Sequence, residues 1–138
     1  MITAVDTNIL LDVFGADASF GRASANALRL CFVAGAVVAC EIVWAETAAA
    51  FPEETLFVDA MTTLGIGFQA IDREVAIRAG AVWRSYRQRG GKRERVVADF
   101  LIGTHALSRC DRLLSRDRGF YRSYFEALKV VDPTTTAS

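Results

Sequence analysis

The 138-residue chain has one histidine, His105, and three cysteines, Cys31, Cys40 and Cys110. No two cysteines have the C-x-x-C spacing, their number is odd, and only one imidazole is available to a metal. A zinc site and a disulfide framework are therefore not expected, and structural thiols in a reducing cytoplasm are. No apolar run reaches the roughly 18 residues of a membrane helix, so no membrane role is expected. The opening segment MITAVDTNI has no basic stretch or cleavage pattern, so no secretory signal is expected. What the chain does have is 52% hydrophobic and 23% charged residues, enough for one globular domain that buries its own core.

Lysine is also scarce, since fourteen of the sixteen bases are arginine. Formal net charge is zero, but residues 1–72 hold nine acids against two arginines, and residues 73–138 hold fourteen bases against seven acids. The planar fork of arginine suits bidentate contacts to phosphate. An acidic half and an arginine-rich half point to metal with phosphate, to a self-complementary surface, or simply to two solvated faces.

Residues 2–5 (ITAV) read as a buried strand, and Thr7 as the cap of a helix running to about Phe14. A helix over 20–34 places Ala23, Ala27, Leu30, Cys31 and Ala34 on one face. AVVAC (36–40) is a second strand, EIVWAETAAAF (41–51) a helix ended by Pro52, and 53–64 a further helix stopped by Gly65. IGFQAI (66–71) is a third strand. Asp72 caps a long helix whose stripe is Val75, Ala79, Val82, Trp83 and Tyr86. A basic loop, GGKRER, leads to a helix over 96–110, then RLLS (112–115) as a strand, RDRGF as a loop and LKVVD (128–132) as a last strand. One domain over 1–132 and a disordered tail over 133–138 are expected.

Strands that alternate with helices predict a parallel sheet covered on both faces, with ligands beyond the carboxyl ends of its strands. Asp6, Glu46, Asp99 and Asp117 come from distant parts of the sequence and all fall near such ends. Converging carboxylates repel one another, and a hard divalent cation relieves the repulsion. Such ions beside a phosphodiester polarise the phosphoryl oxygen and activate water, which suits a chain poor in other nucleophiles.

The segments VDTNILLDVF, EIVWAETAAAF, VVADFLIGTHAL and LLSRDRGF stand in the order and rough spacing found in PIN-domain ribonucleases. The chain most closely resembles the VapC-type toxins of bacterial toxin–antitoxin pairs, over about residues 2 to 132. The resemblance implies a three-layer α/β fold, with a central, mostly parallel sheet of four or five strands flanked by helices. It implies Mg²⁺- or Mn²⁺-dependent endonucleolytic cleavage of RNA, a homodimer, and inhibition by a cognate antitoxin. By position, Asp6, Asp99 and Asp117 correspond to the metal-binding acids. Glu46 corresponds to the helix glutamate that acts with them, and Asn8 to the neighbouring residue that orients the cluster. The family's Thr-x-Asp appears here as Ser115-Arg116-Asp117, so Ser115 keeps the hydroxyl and loses a methyl.

Each residue also has a plainer reading. Asp6 alone would be a turn or capping acid, Asn8 an exposed turn residue, and Asp99 and Asp117 a helix-start acid and a turn acid. Asp12 lies about 600° around the helix from Asp6 and is expected at the surface. Glu41 suits a helix start, whereas Glu46 lies mid-helix among Trp44, Ala45 and Ala48, where solvation explains it less easily. His105 faces away from Asp99 and is expected to pack or lie at the surface. Trp44, Trp83 and Phe100 are expected in the core. The stretch holding Arg84, Arg87, Arg89, Lys92, Arg93 and Arg95 is either a solvated face or a contact to RNA backbone, and Arg116 and Arg118 are the next candidates. Rival functions are a stand-alone RNA-processing nuclease, a receiver-like module that accepts a phosphoryl group, and a non-catalytic binding domain. For a receiver, Asp72 and Lys129 are poorly placed.

Overall fold

The computed structural model describes residues 1–90 and 95–135. Its strands are β1 (Ile2–Val5), β2 (Ala36–Ala39), β3 (Gly67–Phe68), β4 (Arg112–Leu114) and β5 (Val130–Val131). Its helices are α1 (Thr7–Phe14), α2 (Gly21–Ala34), α3 (Glu41–Ala48), α4 (Glu54–Leu64), α5 (Arg73–Gln88), α6 (Val97–Arg109) and α7 (Arg118–Tyr124). The strands form one sheet in the order β3-β2-β1-β4-β5, and every pairing among the described residues is parallel. The fold is the expected three-layer α/β arrangement.

β1 is central, with Ala4 opposite Val38 on one side and Leu113 on the other. Strands flanked on both faces read as near-continuous apolar runs. Accordingly Ala4, Val5, Val37, Ala39, Leu113 and Leu114 are all buried, packed with Ile9, Leu10, Met61 and Phe100. The steps β1→β2→β3 run one way along the sheet, and β4 and β5 lie on the other side of β1. That reversal makes a topological switch point between β1 and β4, where the loops on their carboxyl ends diverge and leave a crevice. Gly35 lets β2 start beside β1: it has φ 155°, and a Cβ there would stand 2.0 Å from the carbonyl oxygen of Met1.

Several local expectations need correction. Thr7 is not the cap of α1; Asp6 is, and its carboxylate accepts from the Thr7 N–H. The buried face of α2 is Gly21, Ser24, Leu28 and Cys31, while Leu30 is 64% exposed. Small apolar residues surround this helix, so periodicity defines its face poorly, and the Ser24 hydroxyl turns inward to donate to Asp12 at 2.8 Å. α3 ends at Ala48 rather than 51: Pro52 has no N–H to give the Ala48 carbonyl, which instead accepts from Phe51 N–H in a tighter turn, and it disfavours helical geometry at Phe51. β3 is two residues long, although Gln69 N–H extends its ladder with one bond to Ala39. RDRGF is not simply a loop: α7 begins at Arg118 and buries Phe120 and Tyr121. That helix has seven residues and no side-chain cap, which leaves little for sequence to signal. In the expected tail, residues 133–135 turn back on Asp132, and 136–138 lie outside the described residues.

Candidate active site

Asp6 is the residue that follows β1, at the switch point. It is 7% exposed. Its Oδ1 accepts from Thr7 N–H at 2.8 Å. Its Oδ2 accepts from the Ser115 hydroxyl at 2.7 Å, the Tyr121 hydroxyl at 3.0 Å and the Asn8 amide at 3.4 Å. Burial pushes this carboxyl above the usual aspartate range; the bonds from Ser115, Thr7 and Tyr121 oppose the shift, and the charge of Asp117 adds to it.

The loop after β4 is tied to the same point. Ser115 is fully buried, and its oxygen also accepts from Asp117 N–H at 3.0 Å. The Asn8 carbonyl accepts from Arg116 N–H at 3.1 Å, so Asn8 bridges α1 to this loop. Asp117 is half-buried and takes a bidentate contact from Arg95, 2.5 Å from Nη1 and 3.1 Å from Nη2. Asp99 sits in the first turn of α6 and accepts from Val96 N–H at 3.2 Å. Glu46 projects from α3 and is exposed, which corrects the expectation that it is hard to solvate. Its Oε1 accepts from the Thr7 hydroxyl at 2.7 Å, beside Asp6.

Tyr121 of α7 relates these acids. It is 1% exposed, and burial pushes its phenol well above the usual range. The negative charges of Asp6, Asp99 and Asp117 all add to that shift. Of the four acids singled out in the sequence, Asp6 accepts directly from this phenol, and Glu46 reaches Asp6 through Thr7. Tyr121 itself escaped sequence reading; the only trace was an aromatic cluster, Phe120, Tyr121, Tyr124 and Phe125, next to Asp117.

Asp12 is not at the surface. It is 4% exposed, and the Arg116 guanidinium donates to both of its oxygens, at 2.6 and 3.0 Å. The helical angle does turn Asp12 away from Asp6, but toward Arg116 rather than solvent. The guanidinium also lies 4.0 Å from the centre of the Phe20 ring. Of the arginines considered for RNA, Arg95 and Arg116 are thus held in ion pairs. Arg89 is exposed with its guanidinium 5.4 Å from the Tyr124 ring, and Arg118 is half-buried at the start of α7. Lys92 and Arg93 lie outside the described residues. His105 is 1% exposed, so it packs; burial pushes its pKa down, and its Nε2 has no partner among the described residues.

The donor set consists of hard carboxylate oxygens, with one buried aspartate whose ionisation is disfavoured by its surroundings. In chemistry this fits Mg²⁺ or Mn²⁺ rather than a soft metal. In geometry, no three His, Cys, Asp or Glu side chains among the described residues form a ready-made ion cage. The contact of Arg95 with both oxygens of Asp117 bears directly on that.

A family model for the PIN domain matches residues 3–126. No curated protein sequence gives a convincing match. Among solved structures, VapBC-1 from nontypeable Haemophilus influenzae superposes with a TM-score of 0.76 at 18% identity, covering 98% of this chain and 100% of that one. VapBC2 from Rickettsia felis, bound to a fragment of its promoter DNA, gives 0.75 at 16% identity, covering 96% and 98%. A toxin–antitoxin complex from Klebsiella pneumoniae gives 0.70 at 22% identity, covering 97% and 99%. At these identities the superpositions speak to fold alone. The family match covers most of the chain and agrees with the all-parallel topology and the acids at its switch point, and the protein therefore belongs to the PIN-domain family.

Proposed function

We propose that this protein is a divalent-metal-dependent endoribonuclease, and that it is the toxin of a toxin–antitoxin pair acting in the cytoplasm. The observation that carries the reading is that Asp6, buried at the carboxyl end of β1, is locked through Ser115 to the loop that carries Asp117 and accepts from the buried Tyr121 hydroxyl. These three acids would hold Mg²⁺ or Mn²⁺, with Glu46 acting beside them. When bound, such an ion polarises a phosphoryl oxygen and makes hydroxide available near neutral pH.

The chain's own part is positioning. Ser115, Tyr121 and Asn8 fix one oxygen of Asp6, and Thr7 N–H fixes the other. Thr7 also orients Glu46. Arg89 and Arg118, like Arg84 and Arg87, lie outside the ion-paired set and are free to meet RNA phosphate; no hydrogen bond or ion pair of their side chains is seen among the described residues. The toxin reading and the protein antitoxin draw on the solved neighbours, which are themselves toxin–antitoxin complexes, and the homodimer follows from the family resemblance alone.

The test is cleavage of an RNA pool by the purified protein. Activity should require Mg²⁺ or Mn²⁺ and stop with EDTA. Asp6→Asn and Asp99→Asn should each lower it by at least about 100-fold, an effect of the size seen when a catalytic group is lost. Cleavage by either variant at the wild-type rate would refute the assignment.

A further inference from the structure

Asp117 differs from the other acids of the site in having a resident cation. Arg95 donates to both of its oxygens, 2.5 and 3.1 Å away. The pair is half-exposed, with side-chain exposures of 30% and 33%. The guanidinium is also held from beneath, since its centre lies 4.3 Å from the Phe120 ring centroid. Phe120 is buried in α7, between Asp117 and the Tyr121 that donates to Asp6. Arg95 is therefore packed into the site, and the charge of Asp99 acts on it as well as that of Asp117.

The charge of Asp117 acts on buried Asp6 and raises its pKa, and Asp99 acts with Asp117 on Arg95. One fixed positive charge among them relieves the repulsion, as a divalent ion would. A carboxylate engaged by a planar fork presents both oxygens to the guanidinium, so an incoming cation must displace or share that fork. The lack of any ready-made cage of three ligands among the described residues agrees with a site that Arg95 keeps closed.

We propose that Arg95 competes with the divalent cation for Asp117, so that the chain carries its own counter-ion in the acidic site and cation binding requires Arg95 to leave. The proposal rests on the metal-site reading given above and adds how access to that site is set. Removing Arg95 should accordingly strengthen cation binding, which is not something a damaged fold would do.

The experiment is Mn²⁺ binding by the protein alone, without RNA, followed by electron paramagnetic resonance. Wild type, Arg95→Gln, Asp117→Asn, the double variant and Asp6→Asn are compared. Because the ion pair is partly solvated and worth little in isolation, Arg95→Gln should tighten Mn²⁺ binding by roughly two- to five-fold. In the Asp117→Asn background the same substitution should have no effect. Unchanged or weaker binding by Arg95→Gln overturns the proposal. An equal gain in both backgrounds also overturns it, because the effect would then be that of charge alone. If Asp6→Asn binds Mn²⁺ like wild type, or wild type and Arg95→Gln both fail to bind, the metal-site reading fails and takes the proposal with it. If wild type binds and Asp6→Asn does not, the result for Arg95→Gln judges the proposal alone.

Discussion

Arg116 grips both carboxylate oxygens of Asp12, joining the middle of α1 to the loop that carries Ser115 and Asp117. Asp12 is 4% exposed, while the Arg116 side chain keeps 27% of its surface. The two partners are therefore unequal. Loss of Arg116 strands a buried carboxylate that, among the described residues, keeps only the Ser24 hydroxyl, whereas loss of Asp12 frees a guanidinium that can turn toward water. Arg116→Gln should cost about 2–4 kcal/mol, somewhat below a fully buried pair, and Asp12→Asn about 1–2. Urea denaturation of both variants checks the order, and a larger loss for Asp12→Asn would contradict it.

Asp6 carries a stability cost that the site imposes. Its carboxyl is raised by burial, so the folded state binds a proton more tightly than the unfolded chain does. Stability from this group is present below the unfolded pKa of about 4 and declines as pH rises toward the folded pKa. Asn has no charge to bury and can exchange bonds with the Ser115 and Tyr121 hydroxyls, which rotate. In EDTA, Asp6→Asn should therefore melt at or above the wild-type temperature at pH 7, and the advantage should shrink toward pH 4. Melting curves at the two pH values test this; an advantage that grows on acidification would reverse the sign.

The acids of the site were legible because each follows or opens an element whose boundary is strongly marked. Asp6 ends an apolar strand, Asp99 opens a helix, and Asp117 follows the short apolar run of β4. What was not legible depends on which way a side chain turns. Asp12 looks like a surface acid until α1 packs on α2 and Arg116 arrives from over a hundred residues away. Glu46 looks enclosed by its apolar neighbours in sequence, yet α3 turns it outward. Thr7 has the chemistry of a cap, but the residue before it has the same chemistry and stands at the strand end. Tyr121 depends on a seven-residue helix whose existence comes from packing rather than local propensity.

His105 gives the opposite pH slope to Asp6. Burial lowers its pKa in the folded state, so the unfolded chain binds the proton more readily. Stability from this group is full above about pH 6.5 and is lost as pH falls from there toward the folded pKa. Nε2 has no partner among the described residues, so an apolar residue of similar volume forfeits no bond there. His105→Leu should match wild type within about 1.5 kcal/mol at pH 8, the usual range for volume-conserving core changes. It should gain on wild type steadily below pH 6.5. Urea midpoints measured from pH 8 to pH 5 decide it; parallel curves would mean that His105 does not titrate with unfolding.

Gly103 controls how closely α7 approaches α6. A Cβ on Gly103 would lie 2.6 Å from the Phe125 ring, which is wedged among Phe100, Phe120 and Tyr121 and is 3% exposed. Alanine in a helix interior gains up to about 1 kcal/mol over glycine. Overpacking a core against a rigid ring costs about 1–3 kcal/mol. The clash should win, so Gly103→Ala should destabilise by about 1–2 kcal/mol. Because the ring that must move directly follows α7, which carries Tyr121, RNA cleavage should fall further than stability explains. Phe125→Leu in the same chain should restore part of both, since it removes ring atoms where the methyl intrudes. Denaturation and cleavage rates on the single and double variants test the coupling. Additive losses would show that Gly103 and Phe125 act separately.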